Sequence, residues 1–228
     1  MIVSIVGAHG QIARQLTPLL TGRGHSVRGI VRNEKQFDDI RSDGAQPALC
    51  DLEYAEPTDI DEILHGSDVV VFAAGAGPKS GPERKKSLDR DGAIAAVESA
   101  VRVGASHFVI VSSMGADNPP NDDETFSIYL RAKADADAAV QSADIVNTIV
   151  RPGGLTDDDA TGRVHIGVSV DRGKVPRADV AAVLAEFIDR RPTTSTTVEL
   201  ITGDDSVHDA VIAALIARWS LTAADQSS

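Results

Sequence analysis

The amino-acid sequence predicts one doubly wound α/β domain, a parallel sheet with helices on both faces. Short β-rich runs alternate with amphipathic helical stretches along most of the 228 residues, the rhythm of strand–helix–strand units with right-handed crossovers. Two of the runs, DVVVFA and HFVIV, are unbroken apolar strings, as expected of strands buried on both faces. A glycine-rich turn stands between the first strand and the first helix. No internal repeat and no Gly-, Ser- or Pro-rich linker divides the chain. Residues 1–221 therefore read as one domain, followed by a frayed tail at 222–228.

The elements follow in order. Ile2–Val6 is a short apolar strand, and residues 11–20 form a helix with Ile12, Leu16, Leu19 and Leu20 on one face. Ser26–Val31 is the second strand, followed by a polar helix through Phe37 and Ile40. Gln46–Leu49 is the third strand. Pro57 and Thr58 are the start signal of a short helix over 59–64. Residues 68–73 form a buried strand, and a long helix over 83–103 is closed by Gly104. His107–Val111 is the next strand. A Pro/Asn/Asp loop leads to a helix over 126–141 and a strand over 145–150. From Arg151 to Lys174 the pattern is irregular, and 152–177 is taken as a small substrate-loop region. A helix over 178–190, a strand over 197–201 and a helix over 207–219 complete the chain, with Trp219 expected to pack.

Composition narrows the function. Hydrophobic residues make up 42% and charged residues 25%, with a formal net charge of -12. So acidic a surface repels a phosphate backbone, and the one basic cluster, Arg84, Lys85 and Lys86, is short; nucleic acid and anionic membranes are not expected partners. No apolar run approaches the roughly 20 residues of a membrane span. No signal peptide is expected, since Met1 leads into IVSIVG without a basic stretch or cleavage site. The single Cys50 fits a reducing compartment, and the protein is expected to be cytoplasmic. The six histidines form no i, i+4 pair, so no metal site is expected.

The glycine turn reads Gly7-Ala8-His9-Gly10-Gln11-Ile12-Ala13, a G-x-x-G-x-x-A pattern. Gly7 takes the tight turn a side chain would obstruct. Gly10 lets the backbone approach a pyrophosphate at the helix N-terminus, where free N–H groups and the dipole favour an anion. Ala13 is small enough for close helix–sheet packing. In its strand–turn–helix context the pattern predicts a dinucleotide site. An NAD-specific site places an acid at the end of the second strand; here Ile30-Val31-Arg32-Asn33 has none until Glu34. Arg32 is a candidate clamp for a 2′-phosphate, so NADP is favoured over NAD, the alternative being a surface arginine at a helix start. Gly77-Pro78-Lys79-Ser80 lacks the glycine before lysine that a P-loop needs.

The ordered set GAHGQIA, VRGIVRN, Asp51-Leu52, VVFAAGAG, FVIVSSMGA, YLRAK, IVRPGGLT and VPRADVA resembles the atypical short-chain dehydrogenase/reductase family, in its NmrA-like NAD(P)-binding subgroup. The resemblance extends to about residue 203 and implies a Rossmann domain. It also implies that Asp51 approaches the adenine, that Leu52, Ala73, Ala74 and Gly75 line the cofactor, and that Arg151, Pro152 and Gly153 lie beside the nicotinamide.

Ser112 and Ser113 end the HFVIV strand, at the sheet edge where ligands bind in open α/β folds. Tyr129 and Lys133, four apart in a helix, share one face. The resemblance implies that Ser113 hydrogen-bonds a substrate oxygen, Tyr129 gives or takes its proton, and Lys133 holds the ribose, with Ser112 beside the cofactor. The expected activity is NADP(H)-dependent oxidation or reduction of a small carbonyl, quinone or similar acceptor. Two alternatives stay open: Tyr129 and Lys133 as an ordinary surface pair, and a non-catalytic redox sensor working through a protein partner or homodimer. His9 faces either the cofactor or solvent. Arg177 and Asp179 either reach the site or serve helix-start electrostatics.

Overall fold

The computed structural model describes residues 1–77 and 80–225, with side chains through Ala217. The first half contains β1 (Ile2–Val6), α1 (Gln11–Gly22), β2 (Ser26–Val31), α2 (Phe37–Ser42), β3 (Gln46–Leu49), α3 (Pro57–Leu64) and β4 (Val69–Phe72). Next come α4 (Pro82–Arg84), a π-helical segment (Lys85–Gly92), α5 (Ala93–Arg102), β5 (His107–Val111), α6 (Thr125–Ser142) and β6 (Val146–Pro152). The last part holds β7 (Gly154–Thr156), β8 (Arg163–Gly167), β9 (Lys174–Pro176), α7 (Arg177–Arg190), β10 (Thr196–Thr202), β11 (Asp205–Ser206) and α8 (Val207–Asp225).

Nine strands form one sheet in the order β11-β8-β10-β6-β5-β4-β1-β2-β3. The pairs from β3 through β10 are parallel, while β8 runs antiparallel to both β10 and β11. This is a Rossmann-type fold. The strand order reverses direction at β1, between β2 and β4, and that reversal opens a crevice at the carboxyl ends of β1 and β4.

Alternation along each strand builds two cores, because successive side chains point to opposite faces. Val3, Ile5, Val69, Val71, Val109 and Val150 face one layer with Leu16 and Leu20 of α1 and Val180, Leu184 and Phe187 of α7. Val70, Phe72, Phe108, Ile110 and Ile149 face the other, with Ile60 and Leu64 of α3, Ala96 and Val97 of α5 and Ala136 and Val140 of α6. Each fully buried Leu, Ile or Phe contributes roughly 1.5–3 kcal/mol, so the two cores hold both helical layers against the sheet.

Three features depart from the sequence expectations. The region from Arg151 to Lys174 is ordered: β6 runs on to Pro152, β7 pairs with β9, and β8 adds an antiparallel edge. The expected long helix over 83–103 is interrupted by the π-helical segment, and its start at Pro82 fits a proline at N1. The short helix begins at Pro57 itself, where Glu56 and Asp59 form a reciprocal cap. Both sheet edges are short or blunted: β3 contains Pro47, and β11 has two residues. Trp219, and Pro78 and Lys79 of the segment weighed against a P-loop, lie outside the described side chains. The tail expected from Thr222 lies there too. Among the described residues no helix is long and apolar enough to cross a membrane.

Candidate cofactor and active site

The crevice is floored by the glycine turn. Gly7 has φ +80°, and a Cβ there would lie 2.5 Å from Ala74 Cα, so β1 and the end of β4 approach this closely only with glycine. The Gly7 and Ala8 amides donate to Ile30 O, and the Gly10 amide donates to Gly7 O at 2.8 Å. Gly10 caps α1 with no side-chain hydrogen bond, and the first turn carries no acid. The amides at Gln11, Ile12 and Ala13 thus open α1 without a protein acceptor among the described residues, as a pyrophosphate site requires. His9 is held aside, its Nε2 2.8 Å from Asp39 Oδ2. The hydrogen bond from His9, then the charge of Arg14, hold the Asp39 carboxyl below its usual range.

Arg32 is exposed at the end of β2 and makes no hydrogen bond or ion pair among the described residues. Asp51 caps the turn after β3: its Oδ1 accepts from the Glu53 amide at 3.2 Å, and its carbonyl accepts from Tyr54 and Ala55. Leu52 packs at the edge of the core beneath. Sequence reasoning missed Glu53, which accepts from Arg84 Nε at 3.0 Å and Ser87 Oγ at 2.6 Å. Burial pushes its carboxyl up, but the bonds from Ser87 and Arg84 and the charges of Arg84 and Arg32 outweigh that and hold it below the usual range. Ala73 and Ala74 follow β4 against the glycine turn, and Gly75 faces Asp89, whose Oδ1 lies 3.2 Å from where a Gly75 Cβ would stand.

The opposite half of the crevice carries the predicted Ser, Tyr and Lys. Lys133 is 2% exposed, and its Nζ donates to Val111 O at 3.0 Å, which places it at the carboxyl edge of β5. The same Nζ stands 5.8 Å from the Tyr129 ring centre and 3.5 Å from Asp89 Oδ1. A second ammonium, Lys85 Nζ, lies 5.1 Å from the Tyr129 ring and donates to Gly77 O at 2.6 Å. Burial drives the Lys85 ammonium below its ordinary pKa, opposed by Asp89 and reinforced by Lys133 and Arg84. Tyr129 also stacks on Phe126, with ring centres 5.9 Å apart. Lys85 and Asp89 come from the π-helical segment. A widened turn leaves no mark in apolar spacing, so their place beside Tyr129 and Lys133 cannot be read from it.

The two serines differ. Ser112 Oγ donates to Asp137 Oδ2 at 2.8 Å, and Arg151 Nε donates to the same oxygen at 2.8 Å. Asp137 is 1% exposed, and burial raises its carboxyl above the ordinary value despite Ser112, Arg151 and Lys133. Ser112 is thus committed to a buried network. Among the described residues Ser113 Oγ reaches only Met114 O, at 3.3 Å, a bond a ligand can replace. Pro152 O accepts from the Met114 amide. A Cβ on Gly153 would lie 2.4 Å from Gly173 O, which fixes glycine where β6 meets the next loop.

Asp179 does not reach the site. It is fully buried and accepts from the Thr161 amide and hydroxyl and the Gly162 amide, pinning the loop before β8. Arg177 donates to Asp157, whose same oxygen is met by Gln11 Nε2 at the start of α1. Cys50 is half-buried, and burial, helped by Asp59 and Asp51, pushes its thiol up to about 11, which makes it an inert side chain. Among the described residues no cluster of His, Cys, Asp or Glu could hold a metal.

The family described as NAD(P)H-binding matches residues 7–191. The chain belongs to that family. The uncharacterized sugar epimerase YhfK of Bacillus subtilis is 34% identical over 92% of this chain and 99% of its own length. A solved Bacillus halodurans protein, provisionally named an NAD-dependent epimerase/dehydratase, is 35% identical with a TM-score of 0.87, over 93% of this chain and 99% of that one. ChuY, an anaerobilin reductase of Escherichia coli, shares the fold, with a TM-score of 0.76 at 22% identity over 90% of this chain and 99% of that one. The NAD(P)H-binding family implies a nicotinamide cofactor, and the site fits one. The turn at Gly7 admits no side chain, and the first turn of α1 presents free amides and no acid.

Proposed function

We propose that this family member is an NADP(H)-dependent oxidoreductase that reduces or oxidises a small carbonyl, quinone or similar acceptor, with Ser113, Tyr129 and Lys133 as its catalytic set. The observation that carries the reading is the setting of Tyr129: its ring faces two buried ammoniums, Lys133 and Lys85, at the carboxyl edge of the sheet. The two ammoniums lie 5.1 and 5.8 Å from the ring centre, so a phenol that can exchange a proton stands with two cationic donors at this edge.

A bound nicotinamide supplies or accepts the hydride. Tyr129 gives the proton to the acceptor oxygen as that oxygen gains charge, and takes it back in the reverse direction. Ser113 exchanges its weak bond to Met114 O for one to the same oxygen and holds it in line. Lys133, fixed by Val111 O and Asp89, holds the ribose hydroxyls. Phe126, 62% exposed and stacked on Tyr129, offers an apolar wall to a flat acceptor. Arg32 selects NADP by meeting the 2′-phosphate from the end of β2.

The names of the two Bacillus relatives favour a second reading, epimerisation through a transient oxidation on a tightly held cofactor. Against it stands the small size of the region that forms β7, β8 and β9. Titration of cofactor-stripped protein with NADPH and NADH, followed by an acceptor screen, tests the proposal. Arg32→Ala is expected to weaken NADPH roughly tenfold or more and NADH little; equal losses refute the 2′-phosphate role. Tyr129→Phe is expected to abolish turnover at unchanged NADPH affinity. Turnover that survives this change refutes the catalytic role and leaves a cofactor-binding sensor.

A further inference from the structure

We propose that Arg177 is a cofactor-binding residue that grips the dinucleotide diphosphate from α7, and that Asp157 competes with the diphosphate for it. This rests on the nicotinamide dinucleotide lying across the glycine turn. Arg177 Nη1 donates to Asp157 Oδ1 at 2.7 Å, and Gln11 Nε2 reaches the same oxygen at 3.3 Å. That oxygen therefore links the side chain of the first residue of α7 to that of the first residue of α1, the helix whose opening amides are expected to receive the diphosphate.

The other basic groups at this end of α1 are committed elsewhere. Arg14 is bound to Asp43 at 2.8 Å, with Asp39 at 3.7 Å, and His9 is bound to Asp39. Arg177 is the remaining cation that contacts this turn through a described partner. Its side chain is only 20% exposed, whereas that of Asp157 is 70% exposed. The guanidinium is held by the fold and the carboxylate by a loop in solvent. An ion pair with so exposed an acid is weak, so exchanging that carboxylate for a doubly charged diphosphate favours the ligand. A guanidinium fork also suits two phosphate oxygens better than one carboxylate oxygen.

The test uses calorimetric titration of the full chain with NADPH, ADP-ribose and adenosine 2′-monophosphate, of which the last has no diphosphate. Arg177→Ala is expected to weaken NADPH and ADP-ribose by roughly tenfold and to leave adenosine 2′-monophosphate unchanged. Asp157→Asn is expected to tighten the first two by roughly two- to fivefold. Unchanged ADP-ribose affinity in Arg177→Ala overturns the proposal, including the case in which only the KM for the acceptor moves. If Arg177→Ala does not fold, Asp157→Asn decides alone, and no tightening overturns the proposal. A wild-type chain that binds adenosine 2′-monophosphate but not ADP-ribose overturns it as well, while leaving the Arg32 role intact.

Discussion

His107 opens β5 at the amino edge of the sheet, the far end of that strand from the candidate site, and its burial ties stability to pH. The residue is 3% exposed; its Nε2 pairs with Thr148 Oγ1 at 2.9 Å, and its Nδ1 has no hydrogen-bond partner among the described residues. Burial lowers its pKa from 6.5 to about 4. The native state therefore holds the ring neutral while the unfolded chain protonates it near 6.5. Its contribution is complete above pH 6.5 and is lost as pH falls toward 4, because the unfolded state binds the extra proton. At about 1.4 kcal/mol per pKa unit, stability should fall by roughly 2–3 kcal/mol between pH 7.5 and 4.5 from this residue alone. For a chain this long that corresponds to a drop in Tm of roughly 5–10 °C. His107→Gln keeps a partner for Thr148 but does not titrate. Urea melts of both proteins across this range, compared as differences, cancel the carboxylates common to them. Parallel stability curves for wild type and variant would refute the reasoning.

Gly7→Ala forces a side chain into φ +80° and against Ala74 Cα at 2.5 Å. It is expected to cost roughly 2 kcal/mol or more and to abolish nucleotide binding, whereas Gly22→Ala, where an added methyl meets nothing within 4 Å, should change neither by much; melts and nucleotide titrations of both check this. Asp137→Ala leaves Arg151 buried without its acid and is expected to destabilise by roughly 3–5 kcal/mol. Asp137→Asn, which still offers an acceptor, should lose clearly less in the same chemical melts.

The fold was legible because buried parallel strands and amphipathic helices write themselves into apolar spacing. DVVVFA, HFVIV and the Leu16/Leu20 stripe all point to the layers they occupy. The glycine turn was legible too, since a positive φ and a backbone approach exclude most side chains. The less legible parts depend on the third dimension. β7, β8 and β9 are three to five residues long and bounded by polar loops, so their pairing shows only when the chain is folded. Nothing in the apolar spacing around Asp89, Lys85 and Asp137 marks them as buried. They are buried because the π-helical segment and α6 turn them toward Lys133, Tyr129 and Arg151. By sequence Asp179 could either reach the site or serve helix-start electrostatics; it opens α7, and its two oxygens are used on the backbone and hydroxyl of Thr161 and the backbone of Gly162.

The ends of the sheet set how this protein can meet another copy of itself. An open strand offers a ladder of free amides and carbonyls on which a neighbouring chain can grow. At one end Pro47 removes an amide from β3, and at the other the two-residue β11 turns straight into α8. Neither border gives a second sheet enough continuous backbone to pair with, so edge-to-edge polymerisation is disfavoured. Contacts through side chains on the helical faces are free of that limit, and point substitutions there leave the strands of the candidate site untouched.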